Sequence, residues 1–191
     1  MTASVLASSA RAASGFTQIE LAERSGVAGS SLSLIEHGKR QPTLATLEVI
    51  LRAARHTIVM IPTVRSDAAR IASEIAIEIA RKDEPAAFRR FIQLADNLAA
   101  EEGATRVGLT LTEPSPTGSE EWDAAIAALS EYRLNGDHLP IPKWIKLRKG
   151  VVGKDWTPRA SKYQIKIDLR KVPKEFRSRG ILIQAQTLVS V

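Results

Sequence analysis

The sequence predicts a mainly α fold: a helical N-terminal unit closed by one β-strand, a helical segment after it, and a small α+β domain at the C-terminal end. Three observations predict it. Apolar residues recur at steps of three and four through residues 4–54 and again through 67–134, the period of an amphipathic helix. Two short β-prone runs, 57–61 and part of 158–169, interrupt that period. Between them, Glu113-Pro114-Ser115-Pro116-Thr117-Gly118-Ser119 holds two prolines and a glycine, which forbid regular structure. The expected divisions are residues 1–62, a helical hairpin over 63–112, a linker over 113–119 and a basic α+β domain over 120–191.

The first helix, over residues 4–13, is weakly amphipathic. Thr17 with Glu20 three residues on makes a capping box, so a second helix starts there and runs to Arg24 with Leu21 and Ala22 facing inward. Ser25-Gly26 breaks the chain, because glycine admits the positive φ of a tight inter-helix turn. A third helix over 29–36 has Leu32 and Ile35 as its core face. Gly38 suits its C-terminal end and Pro42 the start of a fourth, where Leu44, Leu47, Ile50 and Leu51 repeat at helical spacing. Ala22 must be small where two helices cross. Val27, Leu32 and Ile35 bury one side of the third helix and leave the other free for a major groove.

Thr17-Gln18, Leu21-Ala22, Gly26-Val27, Ser33, Ile35-Glu36, Gly38, Pro42 and Leu47 stand at spacings that resemble the helix-turn-helix family of the lambda and Cro repressors, also called the XRE family. The resemblance implies a five-helix unit that binds duplex DNA sequence-specifically. It assigns phosphate contacts to Thr17, Gln18, Lys39 and Arg40, and base-edge contacts to Gly29, Ser30, Ser31 and Ser33, with Leu34 also on the outward face. The sequence departs from the family at Gly29 and Leu34, where members often carry Gln, Arg or Lys. Neither residue can make the bidentate base contacts worth roughly 1–3 kcal/mol each. Sparse recognition is therefore expected: serine bonds, Leu34 against a thymine methyl, and DNA shape.

His56-Thr57-Ile58-Val59-Met60-Ile61-Pro62 reads as a strand over Thr57, Ile58, Val59, Met60 and Ile61. A lone strand on a helical unit leaves its backbone groups unpaired. Pairing with the same strand of a second copy would satisfy them, and so would pairing with the C-terminal half of its own chain. The first is the expectation. Some antitoxin-type members of the family carry such a strand, and a homodimer would set two reading helices roughly 34 Å apart on a palindromic operator.

Further on, Ile71, Ile75 and Ile79 mark a helix over 67–81, and Pro85 opens another through Ala100. A helix follows over 120–134. Tyr163, Ile165 and Ile167 would share one face of a strand, and Ile181-Leu182-Ile183 is a further apolar run. Gly150 and Gly153 suggest a hairpin, and Arg177 and Arg179 either grip phosphate or sit in solvent. The ending Phe176-Arg177-Ser178-Arg179-Gly180-Ile181-Leu182-Ile183 is similar to C-terminal extensions on regulators of this type, some of which accompany nucleotidyltransferase-like toxins. That resemblance implies a toxin partner for residues 66–191.

Charge divides along the chain. Residues 1–65 carry seven basic and four acidic side chains, 66–142 seven and fourteen, and 143–191 thirteen and three. A basic front, an acidic middle and a strongly basic end suggest separate surfaces, or segments that pack on one another. The absence of cysteine excludes disulfides, thiolate zinc sites and a thiol nucleophile. His37, His56 and His138 are too scattered for a metal site. Asp137-His138 lacks a nucleophile. With no targeting signal or long apolar span, the expectation is a cytoplasmic, non-enzymatic repressor that needs no cofactor. It would be either the autoregulating antitoxin of a toxin–antitoxin pair or an ordinary regulator with no toxin partner, whose C-terminal domain contacts an effector or DNA.

Overall fold

Two separate apolar cores organise the chain. The computed structural model describes residues 2–150, 153, 155–158 and 167–189. The first core belongs to four helices: α1 (Ala3–Ala13), α2 (Gln18–Ser25), α3 (Gly29–Glu36) and α4 (Leu44–Ala53). Ala7, Leu21, Leu32, Ile35, Leu47, Ile50, Leu51 and Ala54 close it, with Phe16, Ala22 and Val27 at its margin. The helices start where polar caps stop the chain: Thr2, Thr17 and Thr43 each accept a backbone N–H from the first turn. Gly26 ends α2 at φ 66°, and Gly38 follows α3 at φ 70°, the left-handed conformation that costs glycine nothing. The unit has four helices where five were expected.

The second core belongs to α5 (Ala68–Ala80), α6 (Glu84–Ala99), α7 (Gly103–Leu111), α8 (Glu120–Gly136), α9 (Lys143–Leu147) and α10 (Lys174–Arg177). Asp67 and Asp83 cap α5 and α6, and Ser119 caps α8. Helix α8 is the hub. Its run from Ala124 to Ser130 is buried all round, as expected of a helix enclosed by others, and α5, α6, α7, α9 and α10 all pack on it. Phe91, wholly buried, meets the rings of Phe88, Trp122 and Phe176, and Trp156 lies edge-on to Trp122 at 5.0 Å. Trp144 is core, its indole N–H donated to the Thr110 carbonyl. The segment 113–119 lies against this body: Pro114 and Thr117 are buried, and Thr117 donates its N–H to Asp123.

Two strand expectations are corrected. Thr57, Ile58, Val59, Met60 and Ile61 form no strand. They run as irregular chain after Arg55, whose φ is 60°, with Val59 and Met60 exposed. The reason lies at one residue. Ile61 turns into the second core beside Gly108, so close that a Cβ on Gly108 would stand 2.8 Å from its Cδ1. Thr63 then bonds to Glu101, and the Ser66 carbonyl accepts from Asn97. The run is thus anchored by side chains at one end instead of by a ladder. The C-terminal α+β domain is likewise absent: among the described residues there is no strand, only an isolated parallel bridge between Trp156 and Ile181. Ile181 and Ile183 are buried against helices, which supply the burial that a sheet would have given. The expected strand positions Tyr163 and Ile165 lie outside the described residues, whereas Ile167 packs on the core.

Candidate nucleic-acid interface

The site is built on α2 and α3. Thr17 is exposed and forms the complete capping box: its hydroxyl accepts the Glu20 N–H at 3.2 Å, while its own N–H and hydroxyl donate to the Glu20 carboxylate at 2.8 and 2.9 Å. The backbone N–H of Thr17 and then its hydroxyl hold the Glu20 carboxyl below its ordinary value of 4.5. This locks the first turn of α2, whose free backbone N–H groups point out of the helix end that suits phosphate.

Gln18 is positioned by a partner that the sequence did not single out. Its amide donates to Glu36 Oε2 at 2.6 Å, and Arg11 Nε donates to Glu36 Oε1 at 2.8 Å. The Glu36 side chain is only 4% exposed, so one carboxylate ties α1, α2 and α3 together. A buried carboxylate needs such partners. The signal was present as the Ile35-Glu36 pair at the end of α3, but nothing in the sequence alone says which cation it meets. Ser4 adds a bond from its hydroxyl to the Glu36 carbonyl at 2.8 Å.

Helix α3 turns Leu32 and Ile35 into the core. Gly29, Ser30 and Leu34 are exposed; Ser31 and Ser33 are half-buried. Gly29 would have room for a methyl group, its nearest neighbour across α2 being the Ala22 Cβ at 3.9 Å. Its lack of a side chain leaves the start of α3 low in profile. Arg40 folds back over the helix, donating to Ser31 Oγ at 2.9 Å, so a residue assigned to phosphate touches one assigned to bases. Lys39 is exposed and has no ion-pair partner among the described residues. The Ser33 carbonyl bonds to His37 Nδ1 at 2.7 Å, and the Ser33 hydroxyl lies 3.5 Å from the same nitrogen. The arrangement thus brings Ser30, Ser31, Ser33, Leu34 and Arg40 to one helix with Lys39 beside it. Thr17 and Gln18 begin the neighbouring helix.

This surface suits a polyanion with a groove: small polar side chains on the helix and cations around it. The expected dimer residues 57–61 play no part in it. Among the described residues no three His, Asp or Glu side chains are grouped to hold a metal ion. No described helix is long and apolar enough to cross a membrane. No curated protein and no solved structure matched the chain. Residues 8–55 match the family model described as Helix-turn-helix, and this match supports an XRE-type, DNA-binding regulator of transcription.

Proposed function

We propose that the protein is a repressor that binds a palindromic operator as a homodimer, α3 lying in the major groove, and that it is the antitoxin of a toxin–antitoxin pair. In this reading it represses its own operon through residues 17–40 and covers a nucleotidyltransferase-like toxin with residues 66–191. The observation that carries the DNA-binding part is the outward face of α3, where Gly29, Ser30 and Leu34 meet solvent while Leu32 and Ile35 hold the helix to its core. Two copies supply the second half-site, since one short helix with serine readers offers few base contacts. The toxin-binding part rests on the similarity of residues 176–183 to extensions that accompany such toxins.

The test is footprinting on the DNA upstream of its own coding sequence, with co-expression of the neighbouring genes. Protection of two half-sites about one helical turn apart, lost when Ser30, Ser31 and Ser33 are changed to Ala, supports the repressor. Rescue of a toxic neighbour by residues 66–191 alone supports the antitoxin. A protein that binds the operator but rescues no neighbour is an ordinary regulator.

A further inference from the structure

Residues 143–191 hold thirteen of the chain's 27 basic side chains, and Arg179 explains how the described part of this segment is held. Its guanidinium is buried and fully engaged. It donates to the carbonyls of Ile145 at 2.9 Å, Arg148 at 2.8 Å and Glu175 at 2.8 Å, and pairs with Glu131 at 2.7 Å. Gly150 presses against the Arg179 carbonyl, which a Cβ would meet at 2.4 Å. One cation therefore clasps α9 and the chain after it to α10. Arg148 is also spoken for, by Asp123, Glu113 and the Pro114 carbonyl.

The clasp leaves the other cations outside. Helix α9 buries Trp144 and Ile145 and turns Lys143 and Lys146 to solvent, with Lys149 just beyond. Helix α10 buries Glu175 and Phe176 and turns Lys174 and Arg177 outward, with Lys171 just before it. Among the described residues none of these six side chains has an ion-pair or hydrogen-bond partner, although Lys171 lies near enough to Asp168 to act on its carboxylate. Glu175, the acidic residue among them on α10, is buried and bonded to Asn135. Lys171 aside, five cations thus stand outward on two segments laced by Arg179, without a side-chain partner among the described residues.

We infer that these cations make up one face, a second duplex-DNA contact, which grips the phosphate backbone without reading sequence, outside the site read by α3. Phosphate neutralisation releases condensed counterions and needs only positive charge in reach of the backbone. Residues 8–55 bring the same chain to duplex DNA, so the second contact forms at raised effective concentration. An acidic protein would satisfy the charge as well, but a stable protein interface centres on buried apolar anchors. Here the outward positions of α10 are cations, and α9 turns out a single apolar side chain, Leu147, between Lys146 and Arg148.

The experiment uses the full chain and a random-sequence duplex of about 40 base pairs, with affinity measured by anisotropy across a range of salt. Relative to wild type, K146Q/K149Q/K174Q/R177Q flattens the slope of log affinity against log salt by about 3–4 units, about 0.9 per lost phosphate contact. Circular dichroism confirms that these exposed changes leave the fold intact. An unchanged slope overturns the inference, including the case in which the variant loses binding to an acidic protein instead. The control K39A/R40A separates the two sites. If it flattens the slope while the quadruple variant does not, the second face fails and the α3 reading stands. If only the quadruple variant flattens it, the second face stands and the docking of α3 is wrong.

Discussion

The unit of residues 3–54 and the body formed by the described residues after 60 are both mainly helical, yet they are specified differently. In the first, fixed small and polar residues dictate the geometry: Thr17 and Thr43 start helices, Gly26 turns the chain, and Glu36 joins three helices through one carboxylate. In the second, bulk burial does most of the work. Helix α8 is held by a run of alanines and by aromatic rings that reach it from several helices. The difference teaches where single substitutions act. In the first region they should change shape and docking at modest cost in stability. In the second, changes to buried side chains should cost stability and leave the docking of α3 alone.

The largest effect expected is in the body. Phe91→Ala removes a fully buried ring that touches three others and should destabilise the body by about 3–5 kcal/mol. Because the two cores are distinct, amide exchange in α2 and α3 should hold while exchange in α6 and α8 accelerates. Equal acceleration in both would erase the comparison.

Next comes Glu36→Ala. It strips Arg11 and Gln18 of a shared partner, and a loss of about 1–3 kcal/mol is expected for leaving such groups unsatisfied. DNA affinity should fall too, because Gln18 loses its anchor. Wild-type affinity in a variant that is still folded would mean that Gln18 needs no positioning.

The smallest effect is Thr17→Ala, about 1 kcal/mol for a lost N-cap. Its distinctive readout is Glu20. That carboxyl titrates below 4.5 in the folded protein, so its contribution to stability is full above the unfolded value and is lost as pH falls through the folded one. Without the Thr17 hydroxyl the folded value should rise towards 4.5, though the backbone N–H still holds it down, and the acid-sensitive window should narrow. An NMR titration of Glu20 in both proteins measures this.

The same contrast explains what could be read before the structure. Local rules reached α2 and α3 almost to the residue, because a capping box and a glycine turn act within four residues of chain. They also found α5, α6 and α8 from apolar spacing. Helix α7 carries no such signal, since Gly103 and Gly108 interrupt its pattern. The run from Thr57 to Ile61 looked like a strand because β-prone side chains describe a preference, whereas a strand needs a partner. Here Ile61 found a notch at Gly108 instead. Arg179 shows the same limit in the site. Beside Arg177 in a basic stretch it has the same local character, and only long-range contacts with Ile145, Arg148 and Glu131 make one a clasp while the other stays exposed.

In the proposed function α3 is the element that meets DNA. An isotope-labelled full-length protein titrated with the duplex upstream of its own coding sequence tests this directly. The amides of Gly29, Ser30, Ser31, Ser33 and Leu34 should shift together with Lys39 and Arg40, and Leu109 in the buried body should not. Saturated binding with residues 29–34 unmoved would contradict it.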